Sequence, residues 1–511
     1  MSGLVTALYD CRSKQEYIYR TNRINEISGG SDLLATLYYR FVKLASENHH
    51  MKIKCDWKGD WECDWKLGCD FSLDSFKNSD LDAEVLYVGG GNLLIIYRDE
   101  QRYIKANKIL SRMLLDETYT VSIIASKVDT TENFIDDRKK LYQENRIKKN
   151  TGTFTTPCNT LPFTQVDRLT YMPIVEKDFK KQESHSRESK FKLKSYNNPL
   201  ENYDSKYADM LFQKELKSLT KVKNLDDMTT KKGIESLLAV IYIDGNNMGQ
   251  KVKDATKEKN GYTECVTALR KFSINTDTNF IRNPINAINE YFKNYNKDKN
   301  DEDKRGYRLV ISSGDEITLI CNARMALPIV KTYFDTLIAK SNSDNSNNSA
   351  CAGIAIFHSH APFADVYEIA EQCCESGKKR AHKNPGKNYI DFHFCHAGIT
   401  NELEAVRDFQ EMGITSRPYE YVEEFKKFCD MGEKLKNKDI GRSNVKALSD
   451  AIVKGYSYFR YEVSRINSRV KGKDFKLSDT EEEMKLIYDV SLIYDIWFSE
   501  NGIQQEGAAD E

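Results

Sequence analysis

The chain has 511 residues, 40% hydrophobic and 30% charged, with a formal net charge of −1. That length exceeds one ordinary core and predicts two to four domains, while the balance of charge excludes a global pull toward nucleic acid and leaves only local patches. No apolar run reaches bilayer length, Met1 to Tyr9 is too short and too soon polar for a secretory leader, and twelve cysteines lack a disulfide-scaffold spacing, so a reducing cytoplasm and no membrane partner are expected.

Leu4 to Asp10 reads as a short buried strand, followed by a helical stretch, Lys14 to Arg20. Ser28-Gly29-Gly30-Ser31 reads as a glycine break, after which Asp32 to Ser46 resumes as an amphipathic helix. In Cys55 to Phe71, Cys-Asp-Trp-Lys occurs at 55 and again at 63, with a third cysteine at 69. Cys55, Cys63 and Cys69 would need a fourth zinc ligand such as His49 or His50. Their spacing fits no familiar zinc pattern, so a packed or flexible insertion is expected and no structural zinc. Trp57, Trp61 and Trp65 recur every four residues, as a core or partner-facing stripe of a helix would. Glu84 to Tyr97 reads as a hairpin turning at Gly89-Gly90-Gly91-Asn92, and Gln101 to Ser126 as a helix and a strand.

Residues 135 to 232 are rich in Lys, Ser, Asn and Asp and read as short helices and loops. Lys180 to Lys192 is a basic patch there, by default a solvated loop, alternatively an RNA-contacting one. Leu237 to Asp244 is a clear apolar strand, followed by a long polar helical region. Tyr307 to Ile320 is a strand pair with a tight turn at Ser312 to Asp315. Ala326 to Ala339 is helical, Ala352 to Phe357 a strand, Phe363 to His382 a helix and Tyr389 to Phe394 a last strand. The tail, 401 to 501, has helical periodicity throughout. The order in 237–394, and more loosely in 4–126, is that of the split βαβ arrangement. The expected class is α+β: two ferredoxin-like (βαββαβ) domains, 1–130 and 235–398, with a connecting helical and loop segment, 131–234, and a C-terminal helical segment, 399–511.

The strongest local signal is Ile241-Tyr242-Ile243-Asp244-Gly245-Asn246-Asn247-Met248-Gly249. A carboxylate ends an apolar strand, and small and polar residues open the next segment. A carboxylate there can hold Mg²⁺ while bare backbone amides beyond it meet phosphate. The second signal is Ser313-Gly314-Asp315-Glu316 at a hairpin tip. Two carboxylates in a tight turn repel each other, a cost that a cation between them removes. In the split βαβ topology the first strand neighbours this hairpin, so Asp244 and Asp315 are candidate ligands for one pair of Mg²⁺ or Mn²⁺ ions. Taken singly, each motif is an ordinary turn; their joint occurrence in the right topological order favours catalysis. Lys378, Lys379 and Arg380 near the end of a helix suit its dipole equally well as they suit a triphosphate.

Asp244-Gly245-Asn246-Asn247, Ser313-Gly314-Asp315-Glu316, Cys351-Ala352-Gly353-Ile354-Ala355 and the Lys378 to Asn388 stretch together resemble the second palm domain of the Cas10 family, the large subunits of type III CRISPR complexes. Asp10, Gln15-Glu16-Tyr17-Ile18-Tyr19 and Gly29-Gly30-Ser31 resemble the opening of that family's first palm, and Gly89 to Asn92 its non-catalytic hairpin. The resemblance implies a two-metal nucleotidyltransferase joining ATP 3′ to 5′ into cyclic oligoadenylate second messengers, with other CRISPR subunits and a guide or target RNA as partners. It implies Asp244, Asp315 and Glu316 as metal ligands. Gly245, Asn246, Asn247, Ser313, Gly314, Lys378 and Lys379 would lie against nucleotide, with Gly29, Gly30, Ser31, Gly90 and Gly91 placing a second nucleotide. Two departures stand out. The hairpin reads Ser-Gly-Asp-Glu where the family has Gly-Gly-Asp-Asp, and Cys158 stands alone where many relatives carry a zinc-binding group. The sequence opens directly on the first palm and has no His-Asp dipeptide, so the family's HD nuclease is expected to be missing. The alternatives are a catalytically inactive scaffold subunit and a stand-alone GGDEF-like synthase.

Overall fold

The computed structural model describes residues 3–21, 23–55, 71–151, 161, 163–178, 183–197, 228, 236–300, 304–344, 346–395, 403–411, 413–436, 440–470 and 476–498. Cys63, Cys69, the three tryptophans and Cys158 lie outside these. The chain divides into two compact units that interleave in sequence. One comprises Met1–Ser218, Asn247–Arg282 and Leu309–Glu316; the other comprises Leu219–Asn246, Asn283–Arg308 and Ile317–Glu511.

The first unit is built on strands β1 (Val5–Arg12), β2 (Ile53–Lys54), β3 (Ala83–Gly89), β4 (Asn92–Tyr97) and β5 (Ser122–Asp129), in the order β2-β3-β4-β1-β5. Central β1 pairs antiparallel with both β4 and β5. It is apolar on both faces because both are covered. Val5, Ala7 and Tyr9 face the helices Leu37–Glu47 and Glu100–Glu117, whereas Leu4 and Leu8 face the helices Phe134–Thr151 and Tyr262–Thr276. The connecting region thus begins with an 18-residue helix, Phe134–Thr151, where short pieces were expected. Only a few of its residues, Phe134 and Leu141 among them, are buried, which is why its periodicity is weak. The ladder of β3 shifts register between Val85 and Tyr87. Arg270 answers that bulge by donating to the carbonyls of Leu86 (3.1 Å) and Val85 (2.7 Å), groups that would otherwise be buried and unpaired. A short pair, β6 (Ile174–Asp178) and β7 (Glu183–Ser186), leads into the helix Arg187–Asn197.

Ser28 to Ser31 is not a break. It lies inside one continuous helix, Ile24–Ala35. A Cβ at Gly29 would stand 1.9 Å from the Lys192 carbonyl oxygen, and one at Gly30 would stand 3.2 Å from the Lys192 side chain. The glycine pair therefore lets the helix Arg187–Asn197 press against this one. Lys192 itself is not solvated as the basic patch implied: its side chain is fully buried. Its ammonium is neutralised by Glu188 (2.7 Å) and sits 4.2 Å from the Tyr17 ring centroid.

The second sheet is built on β8 (Leu237–Gly245), β9 (Tyr307–Ser313), β10 (Glu316–Asn322), β11 (Ala350–His358), β12 (Tyr389–Phe394) and β13 (Tyr419–Glu420), in the order β13-β12-β11-β8-β10-β9. Its last four, β11-β8-β10-β9, repeat the order β5-β1-β4-β3. Both sheets are therefore ferredoxin-like, and the α+β class with two palm-type domains holds. The two-residue β13 extends the second sheet into the tail, through a parallel β11–β12 pair. Beyond it lie the helices Glu424–Leu435, Gly441–Lys454, Tyr456–Arg469 and Glu481–Trp497. Asp489, fully buried on the last of these, accepts hydrogen bonds from Thr415 Oγ1, the Ser416 amide, Arg417 Nε and Tyr419 Oη, which ties that helix to the strand. Such a buried charge is tolerated because every lone pair is engaged. Among the described residues no helix is long and apolar enough to cross a membrane.

Candidate active site

Asp244 comes from the end of β8. Alternation along the strand puts Tyr242 and Asp244 on one face, and Tyr242 packs edge-on against Tyr367 of the helix Phe363–Lys383. Two glycines set how closely that helix approaches. A Cβ at Gly353, the β11 partner of Tyr242, would lie 1.9 Å from the Ala370 carbonyl. One at Gly377 would lie 3.1 Å from Tyr389 and 3.3 Å from Cys351, the β11 partner of Asp244. The next residue, Lys378, then reaches Asp244 and makes an ion pair with it. The side chains are 18% and 20% exposed, open enough for a ligand to compete. Burial works against the Lys378 charge, but the Asp244 carboxylate outweighs it and holds the ammonium above its ordinary value. Lys379 points elsewhere, to Glu404 on the surface.

Asn246 is buried and fully employed. Its amide donates to Ser349 Oγ (3.2 Å) and the Lys387 carbonyl (3.1 Å), while its oxygen accepts from Cys351 Sγ (3.1 Å). Burial pushes the Cys351 thiol up to about 12, so it stays a donor. Asn246 thus clamps the chain leaving Gly245 onto β11. Asn247 then takes a left-handed conformation, φ 57°, and starts the helix Met248–Ala255. Asn388 plays a matching structural part, accepting from the Ala350 amide at 2.8 Å.

The hairpin carboxylates follow from β10. Ile317, the second residue of β10, pairs with Ile243, which precedes Asp244. Gly314 turns the chain at φ +67° with open space where a side chain would be. In the first unit Asp315 lies within electrostatic reach of Tyr87 and Lys251. Burial pushes the Tyr87 phenol up to about 12, and Tyr142 and Asp315 add to the shift. Burial lowers the Lys251 ammonium, against the pull of Asp315. Neither residue was legible as a site residue, though Lys251 falls one helical repeat, seven residues, beyond Asp244.

The first palm-type sheet holds a counterpart. Asp10 on β1 pairs in register with Asn92 and makes an ion pair with Lys149 of the helix after β5 (2.5 Å). Lys378 likewise stands on the helix after β11. Counting from the paired strands, Gly89-Gly90-Gly91-Asn92 corresponds to Ser313-Gly314-Asp315-Glu316. Gly90 and Gly91 have φ +58° and +78°, and Lys14 donates to the Gly90 carbonyl across the place a Gly91 side chain would take. Gly29 and Gly30 are covered by the helix Arg187–Asn197, as described above.

A strand ending in a carboxylate and a carboxylate-bearing hairpin, carried on a ferredoxin-like sheet, define a palm domain. Residues 237–390 match the family described as Cas10/Cmr2, second palm domain, so the chain carries a second palm domain of that family. Among solved structures, the Csm1–Csm4 cassette in complex with pppApA aligns with a TM-score of 0.56 at 10% identity, over 96% of this chain and 69% of that one. The same cassette in complex with cA4 gives 0.51 at 11%, over 96% and 70%. Csm1 of T. onnurineus gives 0.52 at 12%, over 97% and 69%. At these identities the likeness is one of fold. No curated protein matches the chain.

Among the described residues, no three His, Cys, Asp or Glu side chains are gathered into a ready-made metal cage. The donor chemistry nonetheless fits Mg²⁺ or Mn²⁺. Asp244, Asp315 and Glu316 offer hard carboxylate oxygens, and the resting counter-ion of Asp244 is an ammonium that a divalent cation can replace.

Proposed function

We propose that the chain is a nucleotidyltransferase that joins ATP 3′ to 5′ into a cyclic-oligoadenylate-type second messenger in antiviral defence. The observation that carries this reading is Asp244, held at the end of β8 by Lys378, in a segment matching the Cas10/Cmr2 second palm. Solved relatives in fold bound to pppApA and cA4 support adenylate as the substrate class.

In this reading the 3′-oxygen of one ATP attacks the α-phosphorus of another, the bond to the β-phosphate oxygen breaks, and pyrophosphate leaves. Two divalent ions, when bound by Asp244, Asp315 and Glu316, would acidify the attacking hydroxyl and neutralise the leaving group. The chain's own residues do the rest. Lys378 releases Asp244 and turns its charge to the triphosphate. The amides opening the helix Met248–Ala255, beyond left-handed Asn247, face phosphate oxygens. Gly314 leaves room for the nucleotide to lie against backbone. Lys251 balances the negative charge beside Asp315.

The partner is a Csm4-type subunit, as in the fold relatives, within a type III-like effector carrying guide and target RNA. The test is to incubate the purified protein, with Mg²⁺ or Mn²⁺, with each radiolabelled NTP and separate the products. Conversion of ATP into slower-migrating adenylates supports the reading. Consumption of GTP with ATP ignored overturns it in favour of a cyclic-dinucleotide synthase.

A further inference from the structure

The helix Tyr456–Arg469 buries Phe459, Val463 and Ile466 on one side. At 100° per residue, a stripe on its other side runs Tyr458, Tyr461, Arg465, Arg469, in steps of three, four and four. Tyr458 is 59% exposed and Tyr461 67%. A single exposed ring is unremarkable on a protein surface, but two on one stripe backed by arginines form a patch with a chemical character. Arg465 is held in place by Glu462 (2.6 Å) and Asn444 (2.7 Å). Arg469 is exposed and makes no ion pair among the described residues. From Val453 to Lys476 the sequence has seven Lys and Arg against two acidic residues, in a chain whose net charge is −1.

We propose that this stripe binds single-stranded nucleic acid, with bases stacked on Tyr458 and Tyr461 and phosphates drawn to Arg465 and Arg469. Charge alone would suit any polyanion, and ring faces alone would suit many proteins. Two ring faces followed by two guanidiniums along one line suit a polyanion that also carries flat bases. The two rings are separated by about 4.5 Å along the helix axis. Stacked nucleotides rise about 3.4 Å each, so consecutive bases can reach both. The surface offers faces and charge but no base-edge code, so binding is sequence-tolerant and indifferent to the sugar. The inference is independent of the chemistry proposed for Asp244 and Asp315.

The test uses the full chain and a fluorescein-labelled, mixed-sequence RNA of about 16 nucleotides, within the footprint range of such surfaces, read by fluorescence anisotropy. The wild type is expected to bind, and DNA of the same sequence to bind comparably. Tyr458→Ala/Tyr461→Ala weakens binding by about tenfold or more, while Tyr458→Phe/Tyr461→Phe, which keeps the ring faces, retains it. Arg469→Gln lowers the salt slope by about one. All these side chains are on the surface, so melting temperatures stay at the wild-type value. Three results would overturn the proposal: no binding by the wild type, unchanged binding in the double alanine variant, or loss in the double phenylalanine variant. The second would show a stripe acting by charge alone; the first would reassign it to a protein contact.

Discussion

The two palm-type sheets share one order over four strands and one ion-pair position, and their hairpins differ at three of four residues. In the first, Asp10 meets Lys149 and the hairpin reads Gly89-Gly90-Gly91-Asn92. In the second, Asp244 meets Lys378 and the hairpin reads Ser313-Gly314-Asp315-Glu316. A strand-end carboxylate paired with a lysine is therefore part of the scaffold in both. What distinguishes the second is the added pair of carboxylates, whose mutual repulsion a cation between them would relieve. The comparison teaches that Asp244 cannot be read as catalytic by itself. Asp10 occupies the same place beside a hairpin that offers no carboxylate.

The sharpest way to break the comparison is to make the two hairpins alike. Asp315→Gly/Glu316→Asn gives the second the two uncharged residues that the first has at those positions, and we expect nucleotide turnover to fall by about a thousandfold or more while the melting temperature holds or rises. Turnover within tenfold of wild type would show that the hairpin carboxylates are ornamental. A smaller effect separates the two lysines. Lys378→Met, which removes the Asp244 counter-ion and the triphosphate contact, should lower kcat/KM for ATP by about ten- to a hundredfold. Lys379→Met, whose partner is Glu404 on the surface, should stay within about twofold. Steady-state kinetics with both variants decides which lysine serves the site.

The Gly29–Gly30 contact is tested by stability. A Cβ at Gly29 would meet the Lys192 carbonyl at 1.9 Å, so Gly29→Ala should cost about 1–3 kcal/mol in urea unfolding. No loss of stability would mean the two helices part easily. The smallest effect concerns Asp32 on the same helix. Burial, against a hydrogen bond from Ser195 and the Arg40 charge, pushes its carboxyl up to about 6. The folded state therefore holds this proton more tightly than the unfolded chain does. The stability it contributes is complete below about pH 4 and is lost as pH rises through about 6. Asp32→Asn cannot ionise, so its melting temperature should gain on wild type from pH 4 to pH 7. Parallel pH profiles for the two proteins would contradict the assignment.

Strands β1, β8 and the two hairpins were legible because apolar runs and glycine turns are local signals. Asp244, Asp315 and Glu316 were legible as candidates for the same reason. Other features depend on contacts distant in sequence. Two adjacent glycines look like a break until the Lys192 backbone is seen against them, and a lysine-rich stretch looks solvated until Glu188 and Tyr17 enclose Lys192. Lys378 and Lys379 are equivalent by composition; only the close approach of Gly353 and Gly377 to their neighbours decides which one faces Asp244. Asn246 looked like a phosphate contact but spends its side chain on Ser349, Lys387 and Cys351. Lys149, Lys14 and Lys251 carried no signal, because a lone lysine on a polar helix is what any solvated face shows. The two-residue β13 is too short for periodicity to reveal.

The central claim is that the second palm, through Asp244 and the hairpin carboxylates, turns over ATP with divalent metal, while the first palm supplies no metal ligand. Its most direct test compares Asp244→Asn with Asp10→Asn. Both substitutions keep the side-chain shape and remove one charge from an Asp–Lys pair. Each variant is incubated with radiolabelled ATP over a Mn²⁺ titration beside the wild type. The account predicts that Asp244→Asn abolishes product at every Mn²⁺ concentration, whereas Asp10→Asn retains turnover within about tenfold and keeps the wild-type metal dependence. Equal loss in both variants, or turnover surviving in Asp244→Asn, would contradict it.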